Sequence, residues 1–326
     1  MRTSTLGRTG HTVSSIGLGT WQLGADWGDV SEQDARTVLD AALESGVTML
    51  DTADVYGDGR SESIIGAWRA EHPEVFVATK MGRRLPQTVE NYSAENMRAW
   101  NDRSRRMLGV DTLDLVQLHC PPTALYAVDA VFDELDAMVD EGRMRHYGVS
   151  VETCDEALAA IARPNVASVQ IIINAFRLKP LDEVLPAAQE AGVGIIARVP
   201  LASGLLSGRY TTETTFAEND HRTYNRRGEA FDVGETFSGV DFEAGVAAAG
   251  EFSALAAAHD LAPSTLALAW LAQLPGVSTV IPGARSAEQA RANAAAGEVS
   301  DLPASVYEAI VELYDRYFRA AVHGRW

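Results

Sequence analysis

The stretch from Val47 to Gly66, VTMLDTADVYGDGRSESIIG, decides the fold and points to a site. Its first half is a short apolar run typical of a buried strand, and the run ends at Asp51. Tyr56 follows five residues later in a turn marked by glycines, before an apolar-periodic segment that predicts a helix opening near Arg60. The pattern therefore places a carboxylate and a phenol at the mouth of one strand-to-helix loop.

Outward from this stretch, short apolar runs alternate with segments of helical periodicity. Runs such as VQIIIN, at 169–174, are apolar on both faces, as in parallel strands covered by helices. Eight strands are predicted, at Ile16–Trp21, Val47–Asp51, Val75–Lys80, Leu113–His119, His146–Ser150, Val166–Asn174, Gly194–Pro200 and Val277–Pro282. Each is followed by a predicted helix, and this count predicts an α/β fold of the (β/α)8 TIM barrel type, not a doubly wound sheet.

The two ends of the chain add elements to this barrel. Short segments on either side of Gly7 and Gly10 predict an N-terminal β-hairpin. Helical periodicity in Ala304–Phe318 predicts an extra C-terminal helix. No stretch rich in proline or serine divides the chain, so residues 1–326 are predicted to form a single domain.

Composition limits the possible partners. The formal net charge of −18 disfavours a nucleic acid or an acidic membrane, because phosphate groups select basic surfaces. The chain lacks a long apolar run and an apolar signal core, which predicts a soluble, cytoplasmic protein that does not associate with membranes. Cys120 and Cys154 have neither the number nor the spacing of a disulfide framework or a metal site, so no metal is predicted. The oligomeric state stays open.

The strand ends carry polar residues whose chemistry is coherent. In a barrel of this kind the active site lies at the carboxyl ends of the strands, and the residues there are Asp51, Lys80, His119, Ser150 and Asn174. Only two of the 27 basic residues are lysines, which suggests that Lys80 is there for its compact ammonium group. Singly, such residues are more often caps or packing groups. Together with Tyr56 in the loop after Asp51, the residues Asp51, Lys80 and His119 make four groups of one mechanism at the ends of three successive units, and this arrangement favours catalysis.

These residues suit proton transfer. Lys80 next to Tyr56 is expected to favour the phenolate and lower the pKa of the tyrosine, making it a usable proton donor. A neutral His119 would orient a carbonyl group. No Ser-His nucleophile and no pair of carboxylates is placed for glycosidic cleavage. The set therefore predicts proton transfer to or from a carbonyl oxygen.

The strings that hold these residues resemble the aldo-keto reductase superfamily, in its bacterial branch related to potassium-channel β subunits. They are DTADVYG at 51–57, ATK ending at Lys80, LDLVQLH ending at His119, YGVS ending at Ser150 and IPGARSAEQARAN at 281–293. The resemblance runs through essentially the whole chain. It implies an NADP(H)-dependent oxidoreductase that reduces aldehydes or ketones to alcohols by hydride transfer. Asp51, Tyr56, Lys80 and His119 would form the catalytic tetrad, with Tyr56 as the general acid.

The resemblance also implies a set of residues that bind the cofactor NADP(H). They are Gly19, Thr20, Trp21, Asp51, Ser150, Gln170, Arg198, Pro200, Leu201, Ser203, Gly204, Leu206, Gly283, Arg285, Gln289 and Asn293. Ser150 and Gln170 would hold the nicotinamide carboxamide. Arg198 stands where an aromatic side chain often stacks on the nicotinamide, and a guanidinium can lie flat against such a ring.

Two further departures from the family pattern bear on the cofactor. Val151 stands where many members have Asn, so one amide contact to the carboxamide is missing. Gly283 and Ala284 stand where other branches have a Lys. Arg285 is then the main candidate for contact with a 2′-phosphate, and NADP(H) is expected in preference to NAD(H).

The substrate side is expected to involve a long segment and several aromatic side chains. The interval Arg209–Asp241 is too long for an ordinary loop, and long loops at this face of a barrel are usually functional. The residues expected to line the substrate cavity are Trp21, Trp27, Tyr56, His119 and Trp326. The partner would be a small carbonyl or alcohol compound, whose identity and direction of conversion the sequence leaves open.

Two other classes of function stay open. A binding module like the channel β subunits would keep the cofactor and the tetrad but act as a redox-responsive partner. An unrelated barrel enzyme, such as a lyase or isomerase, would use Asp51 and Lys80 without a nicotinamide.

Overall fold

The computed structural model describes residues 1–24 and 30–326. The strands are β1 Thr3–Thr5, β2 Thr12–Ser14, β3 Leu18–Gly19, β4 Met49–Asp51, β5 Phe76–Met81, β6 Leu113–His119, β7 Met144–Ser150, β8 Val166–Ile172, β9 Gly194–Arg198 and β10 Val277–Val280. β1 and β2 pair antiparallel as the predicted hairpin. The other eight form one sheet in the order β10-β9-β8-β7-β6-β5-β4-β3, and their pairings are parallel.

Backbone contacts between the first and last strands of this sheet close it. Ile16 bridges Val280 and Gly19 bridges Gly283, both in the parallel sense. The amide of Gly17 donates to the carbonyl of Val280 at 2.8 Å. The predicted (β/α)8 barrel is therefore confirmed. Its first strand is shorter than the predicted Ile16–Trp21, because a 3-10 turn begins at Trp21.

The helices surround this barrel. They are α1 Glu32–Glu44, α2 Arg60–Arg69, α3 Ala94–Leu108, α4 Asp129–Asp140, α5 Cys154–Ile161, α6 Val184–Ala191, α7 His221–Tyr224, α8 Phe242–Ala257, α9 Pro263–Ala272, α10 Ala287–Ala295, α11 Ala304–Tyr317 and α12 Arg319–Val322. α3 illustrates the local rules. The hydroxyl of Ser93 caps its first turn, Gly109 ends it with a left-handed conformation, and one face buries Met97 and Trp100.

The N-terminal hairpin covers the amino-terminal end of the barrel. Gly7 packs so closely that a Cβ atom there would lie 1.9 Å from the backbone nitrogen of Gly194, at the start of β9. Arg8 donates to the carbonyl of Val166, at the start of β8, at 3.0 Å. An apolar cluster fills the interior beside the hairpin: Leu6, Val13, Met49, Phe76, Ala78, Leu115, Ile196 and Ile281. The polar strand ends therefore lie at the opposite end.

A long excursion leaves that polar end after β9 and returns at α8. Val199 and Ser238 both have left-handed backbone conformations, with φ of 51° and 58°. The amide of Asn174 donates to the carbonyl of Val199 at 2.9 Å and to the hydroxyl of Ser238 at 2.7 Å. One buried side chain from β8's end thus fixes two strained turns that border the site.

Candidate active site

Three adjacent strands bring the predicted tetrad together. Asp51 ends β4, Lys80 lies near the end of β5 and His119 ends β6, while Tyr56 comes from the turn after β4. The ammonium group of Lys80 forms a salt bridge with Asp51. It also donates to the carbonyl of Thr52 at 2.9 Å and to the phenolic oxygen of Tyr56 at 3.3 Å. The rings of Tyr56 and His119 meet edge to face, with centroids 6.1 Å apart.

Two glutamines hold the other oxygen of Asp51. Gln117, from β6, and Gln170, from β8, donate to Oδ2 of Asp51 at 3.0 and 2.8 Å. Gln170 also donates to the carbonyl oxygen of Gln117 at 3.1 Å. The carboxylate is buried and bonded on both oxygens, so its position and charge are fixed beneath Lys80. Gln117 was not predicted, because a glutamine inside an apolar strand carries no distinguishing pattern. Gln170, expected to hold the nicotinamide carboxamide, lines the cavity and also donates to Asp51 through its side-chain amide nitrogen.

The pKa of Tyr56 differs from the expected one. Burial raises the pKa of Tyr56 above its ordinary value, and this effect outweighs the opposing charge of Lys80. The expected lowering of the Tyr56 pKa is therefore wrong. Burial alone would lower the pKa of Lys80, but Asp51 reverses that effect and raises it. At neutral pH the tyrosine keeps its proton and the lysine keeps its charge.

His119 is a neutral imidazole at physiological pH. Burial, together with the nearby charge of Arg83, lowers the pKa of His119 well below its usual range. Its Nδ1 atom is buried and has no hydrogen-bond partner among the described residues. A neutral ring of this kind can donate one hydrogen bond to a carbonyl oxygen without adding a charge.

A cavity of about 820 Å³ opens at the carboxyl ends of the strands. Its lining includes most of the residues predicted to bind cofactor or substrate: Gly19, Thr20, Trp21, Asp51, Tyr56, His119, Ser150, Gln170, Arg198, Pro200, Leu201, Ser203, Gly204, Gly283, Arg285, Gln289 and Asn293. A site of this volume, largely apolar with convergent polar groups, is typical of cofactor and substrate binding.

Two of the predicted residues that the structure describes are not part of this lining. Leu206 is fully buried and packs in the apolar core. Trp326 is also buried, and its ring packs 3.9 Å from the guanidinium of Arg177. The predictions that Leu206 contacts the cofactor and that Trp326 lines the substrate cavity are therefore corrected. Trp27 lies outside the described residues.

Trp326 instead packs against part of the long segment at 209–241. A Cβ atom on Gly239 would lie 2.3 Å from the Trp326 ring, so only glycine admits the indole there. Gly239 also has a left-handed φ of 70°. Arg325 donates to the carbonyl of Gly239 at 3.1 Å. The role of these last residues is to pack against the turn at 233–239.

Aromatic rings form one side of the cavity. The ring of Trp21 stacks near that of Tyr56, with centroids 6.2 Å apart. It also contacts His221 at 5.6 Å and Phe231 at 6.3 Å. Burial lowers the pKa of His221 to about 4, so this ring is neutral at physiological pH. His221 was missed because a lone histidine in a long polar interval carries no distinguishing pattern.

Three charged residues, Arg83, Arg198 and Glu235, also line the cavity. Arg198, at the end of β9, forms salt bridges with Glu235 and, at 3.1 Å, with Glu152. Glu152 also pairs with Arg83 at 3.0 Å, and Arg83 donates to the carbonyl of His119 at 3.2 Å. We call Arg83, Glu152, Arg198 and Glu235 the charged wall. Its members other than Arg198 were missed, because sequence spacing gives no sign that distant residues pair in space.

The far end of the cavity lies at the amino terminus of α10. The hydroxyl of Ser286 accepts from the amide of Gln289 at 3.2 Å and caps the helix. The side-chain oxygen Oε1 of Gln289 accepts from the backbone amide of Arg285 at 2.8 Å. Asn293 donates to the carbonyl of Gly283 at 3.1 Å. These side chains shape the turn that carries Arg285, and helix amino termini of this kind favour anions.

Other classes of site receive no support from the part of the chain that is described. Across residues 1–24 and 30–326, no three or more His, Cys, Asp and Glu side chains are grouped to hold a metal ion. Cys120 and Cys154 are free and buried. No helix within the described ranges is long and apolar enough to cross a membrane.

The fold and the site belong to a known class of barrel oxidoreductase. A model of the Aldo/keto reductase family matches residues 15–315, so the chain belongs to the aldo/keto reductase family. An uncharacterized oxidoreductase of Mycobacterium tuberculosis is 33% identical, with 96% of this chain and 93% of the relative covered. An aldo-keto reductase of Schizosaccharomyces pombe, yakc [NADP(+)], is 29% identical over 91% of this chain and 87% of its own.

Solved structures agree with this assignment. The holo form of an aldo-keto reductase from Bacillus halodurans has a TM-score of 0.79 and 26% identity, and the match covers 99% of both chains. A glycerol dehydrogenase from Gluconobacter oxydans has a TM-score of 0.77 and 28% identity, covering 94% of this chain and 93% of the other. A specific relationship to channel subunits stays a prediction.

Proposed function

We propose that the protein is an NADP(H)-dependent reductase that converts aldehydes or ketones to alcohols, with Tyr56 as the general acid. One observation carries this proposal: Lys80 lies between the carboxylate of Asp51 and the phenol of Tyr56, with the neutral His119 against the tyrosine ring. A buried acid, a fixed cation and a neutral hydrogen-bond donor at one point suit protonation of a carbonyl oxygen.

Each residue has a distinct part in this chemistry. Tyr56 holds its proton because burial raises its pKa, and it would give that proton to the carbonyl oxygen. The charge of Lys80 would stabilise the phenolate left behind, while Asp51 holds the ammonium in place. His119 would orient the same oxygen. When bound, a reduced nicotinamide supplies the hydride that the carbonyl carbon accepts.

The cavity suits a dinucleotide of this kind. It extends from Tyr56 to the capped amino terminus of α10 and is lined by Arg209, Arg222 and Arg285, whose charges suit phosphate groups. Ser150, Gln170 and Arg198 would bound the nicotinamide at the other end. The yeast relative's name includes NADP(+), and the Bacillus halodurans structure is a holo form.

We propose a preference for NADP(H) over NAD(H) on the basis of Arg285. Its guanidinium follows the last strand and stands before a capped helix, so a 2′-phosphate there would meet both a cation and a helix amino terminus. The single-domain organisation of residues 1–326 remains part of this proposal.

The alternatives receive less support. A binding module would need only the cofactor, whereas the printed names of the relatives describe reductases, oxidoreductases and a dehydrogenase. A lyase or isomerase would leave the cavity between Arg198 and Arg285 without a ligand that matches its length and charge.

A direct assay separates these functions. The purified protein is mixed with NADPH, and binding is followed by quenching of tryptophan fluorescence. A panel of aldehydes and ketones is then added, and oxidation of the cofactor is followed by its near-ultraviolet absorbance. Binding with turnover supports the reductase, and binding without turnover across the panel supports the module. Absence of binding overturns both.

A further inference from the structure

The charged wall is an alternating chain of two guanidinium groups and two carboxylates. Arg198 is buried, and its guanidinium contacts Glu235 on one side and Glu152 and the carbonyl of Val151 on the other. Glu152 is shared with Arg83. Both carboxylates are therefore needed to balance the two cations, and neither can be removed without leaving a buried positive charge in excess.

This wall acts on the reaction centre. Burial is the main reason that the pKa of Tyr56 is raised, and the charge of Glu235 adds to the rise. Burial is also the main reason that the pKa of His119 is lowered, and both Arg83 and Arg198 add to that effect. Arg198 and Glu235 line the same cavity as Tyr56 and His119. A change of charge in the charged wall would consequently change the electrostatic potential where the nicotinamide is proposed to lie.

The two redox states of a nicotinamide respond differently to such a charge. The oxidised ring carries a positive charge and the reduced ring is neutral. A guanidinium beside the ring disfavours the oxidised state unless carboxylates balance it, and at short range in a buried site this interaction is large. The inference rests on the proposed function, since it requires the cofactor to bind in this cavity.

We propose that Glu235 is a positioning residue that neutralises Arg198 at the nicotinamide wall and thereby keeps the affinity for oxidised cofactor close to that for reduced cofactor. Glu152 shares this task from the opposite side. Glu235 belongs to the turn at 233–239, and Ser203 binds the backbone of this turn. The Ser203 hydroxyl donates to the backbone carbonyl of Glu235 at 2.9 Å and accepts from the backbone amide of Phe237 at 3.0 Å. The turn therefore has anchors that do not depend on the Glu235 carboxylate.

Those separate anchors make a charge-removing substitution informative. Glu235→Gln keeps the size of the side chain and one oxygen that can accept from Arg198, but it removes the charge. A purely structural role predicts that NADP⁺ and NADPH lose affinity together, because both would meet the same altered turn. An electrostatic role predicts that the ratio of the two dissociation constants changes.

The test measures dissociation constants for NADP⁺ and NADPH by tryptophan quenching at pH 8, because burial raises the pKa of Glu235 and a basic pH favours its ionised form. In Glu235→Gln, binding of NADP⁺ should weaken relative to NADPH by about tenfold. Glu152→Gln should shift the ratio in the same direction. Glu218→Gln, an exposed residue of the same long segment, is the matched control and should leave the ratio unchanged.

A double variant keeps the proposal testable if the single ones are unstable. Removing both charges in Glu235→Gln with Arg198→Gln should restore the ratio to within about threefold of the unmodified protein. Equal losses for both cofactors in Glu235→Gln, or an unchanged ratio, would overturn the proposal. If the unmodified protein binds neither cofactor, it is the proposed function that fails.

Discussion

The ammonium group of Lys80 lies 3.3 Å from the phenolic oxygen of Tyr56 and is held from its other side by a salt bridge to Asp51. Asp51 and Lys80 are buried and Tyr56 is partly buried, and two glutamines complete the contacts of Asp51. The pair therefore combines a donor that holds its proton with a cation that stabilises the resulting phenolate. The following predictions depend on that arrangement or on its surroundings.

The pH dependence of reduction should reflect the raised pKa of Tyr56. Reduction requires the protonated phenol, so its rate should stay level up to about pH 10, the ordinary value for tyrosine, and fall only above it. His119 adds no fall near neutrality, because burial keeps it neutral there. The profile of kcat/KM for an aldehyde checks this. A decline centred near pH 8 would show that Lys80 dominates over burial.

Arg285→Ala should weaken binding of NADPH and spare NADH. A charge-assisted contact with a 2′-phosphate is worth about 1.5–3 kcal/mol, which corresponds to about ten- to a hundredfold in affinity. Dissociation constants for both cofactors check this. Arg291→Ala is the matched control, because Arg291 lies on α10, the helix that follows Arg285, and pairs with Glu44 on the surface at 3.1 Å. Equal losses for the two cofactors would show that Arg285 does not read the 2′-phosphate.

Trp326→Ala should destabilise the fold. The indole is buried against Arg177 and Gly239, and deleting a buried tryptophan side chain costs about 3–5 kcal/mol. Trp326→Phe keeps a ring over the guanidinium and should lose less. The free energy of unfolding from urea titrations of the two variants checks this. A loss below about 1 kcal/mol for the alanine variant would contradict the packing described here.

Asp54 should make the protein less stable as pH rises from 5 to 7. Burial raises the pKa of this carboxyl to about 7, and both oxygens are buried without a hydrogen-bond partner among the described residues. The unfolded chain releases the proton near the ordinary value of 3.8, so in this window the folded state binds more protons and its stability falls with pH. The loss should be about 2–3 kcal/mol.

Asp54→Asn isolates this effect. Urea unfolding at pH 5 and pH 7 should show the extra loss in the unmodified protein and not in the variant, so the comparison removes contributions from other groups. Asp58→Asn is the control, because Asp58 is exposed and Arg84 lowers the pKa of its carboxyl. If the free energy of unfolding fell between pH 5 and pH 7 by the same amount in Asp54→Asn as in the unmodified protein, the buried carboxyl would not be the source of that fall.

The barrel and the tetrad could be predicted because their signals are local. A strand that is buried on both faces is a short apolar run, and its last residue marks the carboxyl end where a barrel carries its site. Asp51, Lys80 and His119 each occupy such an end, so counting strands was enough to bring them together. The capped turn before α10 follows from the same kind of local pattern.

The remaining features depend on contacts between distant residues. Glu235 meets Arg198 only because the long segment folds back over the cavity, and no periodicity in 209–241 indicates its path. The residue type and chain position of Trp326 led to the prediction that it lines the cavity. Instead it is buried in the core, where the missing side chain of Gly239 leaves room for its ring. The pKa of Tyr56 was predicted with the wrong sign because burial competes with the charge of Lys80, and the extent of burial requires the three-dimensional structure.

The most direct measurement of the central claim is turnover and NADPH binding by Tyr56→Phe. Removing the hydroxyl should lower the rate of carbonyl reduction by about 10²–10⁴-fold and leave the dissociation constant for NADPH nearly unchanged, because the proton is needed only in the transition state. Tyr147→Phe, which removes a hydroxyl on β7 that donates to Asp136 of α4 at 2.8 Å, should retain full activity. Full turnover by Tyr56→Phe would contradict the assignment of Tyr56 as the general acid.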